Sequence, residues 1–327
     1  DIAFGADLTL NVITLQEGNA GGLNGGAIQN SGTLTINNSS FNNNAADLGG
    51  AIVSNGTLTI NNSTFDGNSA VTAGGALYLD GTVAINDSII SNNSAPSAGA
   101  LATNGALDVA RTQFTSNTSS SDGGAIVIYV AGVVDINAGR FTSNTADNGG
   151  AIFNQNILTM GSVIFELNHA STNGGALYNE DTFNDEGNYF SNNSASFDGG
   201  AVYSASSATT KLDKSIVNDS SAGGSGGAVF NAGTLTVEAS LFSDSSAGDN
   251  GASIFNSGDA TLTYATLVNG QATAGSLYTA GGANTYLAGT ILGTSTGGTS
   301  SGGLCVGTVT DNGYNLAEDG TCAFSHA

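Results

Sequence analysis

The stretch from Gly25 to Ile60 reads GGAIQNSGTLTINNSSFNNNAADLGGAIVSNGTLTI, and its first twelve residues return almost unchanged 24 positions later. The opening motif is two small residues, an alanine and an aliphatic. It recurs as GGAI at Gly25, Gly49, Gly123 and Gly149, as GGAL at Gly74 and Gly174, and as GGAV at Gly199 and Gly226. Looser copies stand at Ala98, Asn250 and Ala274, and the steps between copies run from 24 to 27 residues. About sixteen residues into each repeat comes a second signature, Phe-x-x-Asn, at Phe41, Phe65, Phe114, Phe141, Phe165 and Phe190, with Ile90 as a variant. A fixed period of this length is the mark of a solenoid, in which each unit is too small to bury its own apolar face.

Between the two signatures lies GTLTI or a relative of it, at Gly32, Gly56, Gly81, Gly105 and Gly233. Leu34 and Ile36 alternate with Thr33 and Thr35, the period of a half-buried strand. Helical periodicity is missing, and so much Gly and Thr would weaken a helix. Short strands joined by Gly, Asn, Asp and Ser turns therefore stack about 4.8 Å apart. The expected fold is an all-β, right-handed parallel β-helix of about twelve turns over residues 1–300, roughly 55–60 Å long. Residues 301–327 are expected to form a C-terminal capping segment.

Aligning the repeats predicts columns. Ile28, Ile52, Leu77 and their successors form one internal stack and the Phe residues another, each member contributing on the order of 1.5–3 kcal/mol. Asn44, Asn68, Asn93, Asn117, Asn144, Asn168 and Asn193 share one position, where stacked amides can pair and satisfy the backbone at a bend. The position after the first aliphatic column carries Phe153, Tyr178, Tyr203, Phe230, Phe255 and Tyr278. It is expected to face outward as an aromatic ladder able to touch sugars or another subunit.

The paired motifs resemble the repeats of the chlamydial polymorphic membrane proteins and related bacterial surface proteins, over roughly residues 6–300. The closing GGLCVGTVTDNGYNLAEDGTC, from Gly302 to Cys322, also resembles the end of many bacterial secreted repeat proteins. The resemblance implies a surface or secreted β-helix, often adhesive, and supplies no catalytic residues because its motifs are structural. No barrel-type segment follows the repeats in this sequence, so export by this chain alone is not expected.

Composition narrows the function. The 327 residues hold 4 Lys and Arg against 26 Asp and Glu, a net charge of −22. Such a surface repels nucleic acid and anionic lipid. No apolar run reaches the ~20 residues of a membrane-spanning helix. An enzyme acting on polysaccharide needs a base beside a cation or a spaced carboxylate pair. Of the four cations, Arg111 aligns with Asp87 one turn earlier and reads as an ion pair. The acidic run NEDTFNDEGNYF supplies Asp181, Asp185 and Glu186 as candidate cation ligands. Asp185 falls in the column of Ile36, Ile60, Ile85, Val109, Ile136 and Met160. A carboxylate aimed into that core is costly, so a bulge is expected to turn Asp185 outward, with Lys211 and Lys214 neutralising the cluster. His169 and His326 read as surface residues. Cys305 and Cys322 read as a disulfide, worth about 3 kcal/mol. Outward Thr-x-Thr pairs are interrupted by Ala84, Asp108 and Lys211, which breaks the regularity an ice-binding face would need.

The expected function is that of a non-enzymatic extracellular or cell-surface structural or adhesive protein of a bacterium. Asp1 aligns with Ala27, in mid-repeat. Ile2, Phe4, Leu8 and Leu10 then continue the core pattern as an assembly end, joining copies head to tail into a filament. Partners are therefore the chain itself, or surface and matrix glycans and proteins. The alternative is a glycan-binding adhesin on the ladder, or a polysaccharide-cleaving β-helix enzyme. No cofactor is expected. Ca²⁺ is the one ion considered, on a row formed by Asp47, Asp122, Asp147, Asp198 and Asp249 before the small-residue motif.

Overall fold

The GTLTI segments become five-residue strands because alternate side chains have somewhere to go. In the computed structural model, which describes residues 1–293 and 303–324, no helix forms among the described residues. Each turn contributes Thr33–Asn37-type long strands, Ser40–Asn42-type strands carrying the Phe, and Ile28–Asn30-type strands following the small-residue motif. A fourth, shorter side strand follows in many turns, as at Ala45–Leu48 in the first half of the chain and Ser246–Ala247 in the second. Every pairing is parallel. Leu34 sits opposite Leu58, and Ile36 opposite Ile60. This is the parallel β-solenoid that the period predicts.

Contacts group the chain into two compact units, 1–163 and 164–327. The first holds six strands of the small-residue sheet, from Ile28–Asn30 to Ile152–Asn154, and the second another six, from Leu177–Asn179 to Cys305–Val306. The chain thus makes about twelve turns. In the second unit the described C-terminal residues add a shortened last turn, with Cys305 opposite Leu277, Asp311 opposite Leu287 and Leu316 opposite Ile291. The expected boundary at 300/301 lies outside the described residues, as does His326.

The core is the set of columns read from the repeat. Phe41, Phe65, Phe114, Phe141, Phe165 and Phe190 are fully buried. Within each unit the rings stack in pairs, with centroids 4.7 Å apart for Phe41–Phe65 and for Phe114–Phe141 and 4.8 Å for Phe165–Phe190. Ile52, Leu77, Leu101, Ile126, Leu177, Val202, Val229, Ile254 and Leu277 are equally inaccessible. The paired glycines have separate reasons. Gly49 holds φ at +56°, and a β-carbon there would lie 2.2 Å from the Ile52 carbonyl oxygen. Gly50 is pressed against the next turn, where a β-carbon would meet the Gly75 carbonyl oxygen at 2.1 Å. One glycine makes the bend and the other lets two backbones touch.

The asparagine column is a continuous ladder in the first unit and a single pair in the second. Asn44 Nδ2 donates to Asn68 Oδ1 at 2.9 Å, Asn68 to Asn93 at 3.0 Å, Asn93 to Asn117 at 3.0 Å and Asn117 to Asn144 at 3.0 Å. The second amide hydrogen turns back to the preceding turn, Asn68 to the Phe41 carbonyl and Asn93 to the Phe65 carbonyl. The backbone N–H of each donates to the same Oδ1 of the next, as in Asn68 to Asn93 at 2.8 Å. Asn168 and Asn193 repeat the pairing in the second unit. Each amide is buried and every hydrogen-bonding site of an interior rung is used, which is the condition for burying it at low cost.

Candidate contact surfaces and a buried acid

The aromatic ladder exists, but it is not the open strip expected. Phe153 is only 6% exposed, and Val53, Ala102 and Val127 in the same column of the first unit are also buried. The small-residue loop folds back over them: a β-carbon on Gly123 would stand 2.7 Å from Val127 Cγ2. In the second unit Tyr178, Tyr203, Phe230, Phe255 and Tyr278 are half-buried. Their rings stack at 4.7, 4.9, 4.8 and 5.1 Å, with planes within 16° of parallel. Rings so stacked cover one another's faces and offer solvent only their edges. A sugar ring stacks on a free face, which these rings give to one another instead. Burial, and then the Asp198 carboxylate, push the Tyr203 hydroxyl up.

The N-terminal residues divide. Leu8 and Leu10 lie opposite Leu34 and Ile36 and extend the core columns. Ile2 is buried, its N–H donating to the Gln29 carbonyl at 2.9 Å. Phe4 does not continue the core: it is 94% exposed, because Ala3 to Ala6 form a tight turn closed by Ala6 N–H on the Ala3 carbonyl.

The acidic run also reads differently in three dimensions. No bulge interrupts Thr182–Glu186; Asp185 sits in register opposite Leu212 and points into the isoleucine column, 3% exposed. Register with the neighbouring strand wins over the cost of the charge. The Ser215 hydroxyl donates to Asp185 Oδ2, while Oδ1 is buried with no hydrogen-bond partner. Burial raises the carboxyl to about 7, with bonds from Ser215 and the Asn188 backbone opposing the rise and Asp213 adding to it. Of the two lysines, one pairs within the acidic run and the other outside it. Lys214 pairs with Glu186 at 3.1 Å, and Lys211 with Asp213 at 3.1 Å. Asp181 accepts from Thr182 at the surface. Asp181, Asp185 and Glu186 are thus dispersed, and among the described residues no three His, Cys, Asp or Glu side chains gather closely enough to hold a metal ion.

The acids before the small-residue motif have local partners. Asp47 accepts from Thr72, Asp122 from Ser121 and Asn148, and Asp198 from the Ser225 backbone at 2.7 Å. Burial pushes the Asp198 carboxyl up, and Asp249 adds to this. Three further side-chain pairings are present. Arg111 grips Asp87 through Nε at 2.6 Å and Nη2 at 2.8 Å, and this grip lowers the Asp87 carboxyl. Cys305 and Cys322 form a disulfide. His169 lies at the surface with Nδ1 2.9 Å from Ser194 Oγ.

A stack of near-identical parallel turns, held by amide and phenylalanine columns and presenting an acidic exterior, defines a β-solenoid repeat protein. Residues 62–80, 111–129, 139–155, 162–180 and 189–205 match the Chlamydia polymorphic membrane protein (Chlamydia_PMP) repeat, so the chain carries the repeat of that family. No curated protein and no solved structure matches the chain. Among the described residues no helix is long and apolar enough to cross a membrane.

Proposed function

We propose that this chain is a non-catalytic contact protein of a bacterial surface, a β-solenoid whose interior is scaffold and whose outer columns meet a partner. The observation that carries the reading is the fate of the acid most suited to chemistry. Asp185 faces the core between strands, hydrogen-bonded to Ser215, with no route to a substrate. The repeat match supports a surface or outer-membrane location.

The test joins location to chemistry. Protease added to intact producing cells should cleave the chain, and beads coated with purified protein should adhere to a cell or matrix layer. Release of reducing ends or unsaturated products from a glycan panel, lost on Asp185→Ala, would overturn the reading and make the acid catalytic. The same preparation tests head-to-tail assembly, the more specific form of the proposal. Leu8→Asp and Leu10→Asp should abolish assembly seen by light scattering, and wild-type protein that stays monomeric at high concentration refutes it.

A further inference from the structure

Outward positions of a solenoid are free of the packing rules that govern its core, so a cluster of large residues there needs its own explanation. The last turns of the second unit hold one. Tyr264 is 68% exposed, Tyr286 38% and Tyr314 95%. Tyr264 and Tyr314 occupy the bend after the long strand, on either side of Gly289: Tyr264 N–H donates to the Ala288 carbonyl, and Gly289 N–H to the Gly313 carbonyl. Tyr286 stands on the outer face of the long strand itself, between Thr261 and Thr310 of the flanking turns.

The neighbours of these rings separate them from the buried ladder. Along its own column each tyrosine meets a glycine, alanine or threonine, never another ring. A β-carbon on Gly289 would come within 2.6 Å of Tyr264 Cδ1, so the glycine is what lets that ring lean across the bend. Tyr264 and Tyr314 are two turns apart, roughly 10 Å at the strand spacing. Thr263 stands beside Tyr264 on the same surface. Charge then selects the ligand. No Lys or Arg follows Lys214 in the sequence, whereas Asp219, Glu238, Asp244, Asp249, Asp259, Asp311, Glu318 and Asp319 do. Such a region repels sulfated or uronic polymers.

We infer that Tyr264, Tyr286 and Tyr314, with the hydroxyls of Thr261, Thr263 and Thr310, form a binding face for an uncharged polysaccharide. The rings take the apolar faces of successive sugars, and the threonines accept from and donate to their hydroxyls. This names a ligand class for the contact function proposed above, and it rests on that reading.

Affinity electrophoresis in native gels containing xylan, glucomannan or hydroxyethyl cellulose, with heparin as the charged control, tests it. At least one neutral polymer should retard the protein and heparin should not. The Tyr264→Ala/Tyr286→Ala/Tyr314→Ala variant should lose tenfold or more in affinity while melting with wild type, and Tyr189→Ala should bind as wild type. Should the triple variant melt early, Tyr286→Ser alone is read, and it should still lose several-fold. No retardation by any neutral polymer, or retardation that survives these substitutions, overturns the inference. So does concentration-dependent dimerisation abolished by the same changes, which would assign the face to a second copy. If coated beads adhere equally through wild-type and triple-variant protein, the contact function stands and this face is not its site.

Discussion

Two buried polar positions, one repeated in the first unit and one solitary in the second, each face the core of their own unit and meet opposite fates. The asparagine rungs from Asn44 to Asn144 hand a hydrogen bond to the next turn at 2.9 to 3.0 Å, and an interior rung leaves no donor or acceptor idle. Asp185 stands in an aliphatic column with Ser215 and the Asn188 backbone as partners and one oxygen unmatched. What distinguishes them is complementarity along the stack. A carboxamide is both donor and acceptor, so identical neighbours satisfy it. A carboxylate only accepts, and the turns around it supply too few donors. Burial is therefore inexpensive for the asparagine column and costly for the lone acid.

The sharpest way to break that contrast is Asn93→Leu. It removes the acceptor used by the Asn68 backbone and side chain and the donor to the Phe65 carbonyl. Several buried groups are left unpaired at once, so a loss of about 3–5 kcal/mol is expected in denaturant unfolding. A loss under about 1 kcal/mol would mean the ladder is passive filler.

The next effect concerns Asp185 and pH. Its folded value, about 7, lies above the unfolded 3.8. The folded state then holds the proton more tightly, and stability is greatest below pH about 4. It declines as pH rises through about 7, by roughly 4 kcal/mol in the limit of a full shift. Asp185→Asn should flatten that decline and raise the melting temperature at pH 8 while leaving it unchanged at pH 4. A wild-type profile that rises from pH 4 to 8 and follows the variant's would show that the carboxylate is satisfied after all.

A smaller stabilisation should come from Asp185→Leu at pH 8, where the transfer gain is set against the lost Ser215 bond, the hydroxyl keeping the Asp213 carbonyl at 3.1 Å as acceptor, a net of about 1–2 kcal/mol. Smallest of all is Arg111→Ala. The Asp87–Arg111 pair is solvent-exposed on both sides, and melting indistinguishable from wild type is expected in scanning calorimetry. A clear drop would mean that exposed rungs also hold turns together.

What could be read from sequence was what repeats. The Phe and Asn columns appear in up to seven consecutive copies, and repetition reveals both their position and their burial. Asp185 occurs once, so its column was legible but its direction was not; register outweighed the charge penalty that suggested a bulge. The column from Val53 to Tyr278 was legible as a row, while the cover over its first-unit members was hidden, because the loop that folds over Val127 is built of residues too small to announce a contact. Tyr264 and Tyr314 escaped notice because Phe-x-x-Asn lapses after Phe190. Phe242 is followed by Ser245, and the bend column loses its marker where it becomes aromatic. Aligning Ala239, Tyr264, Gly289 and Tyr314 with Asn38 and Asn62 would have exposed it.

The amide ladder has a sense as well as a position. The amide–amide bonds from Asn44 to Asn144 all run one way, each Nδ2 donating one hydrogen to the Oδ1 of the next turn. The bond dipoles therefore add along the axis and polarise one another. A turn inserted or deleted by recombination keeps this alignment only if it is whole and reads in the same direction. A fragment of a turn, or a reversed one, would set oxygen against oxygen inside the core. The ladder acts as a vectorial checksum on length, permitting the chain to grow or shorten over generations in steps of one repeat.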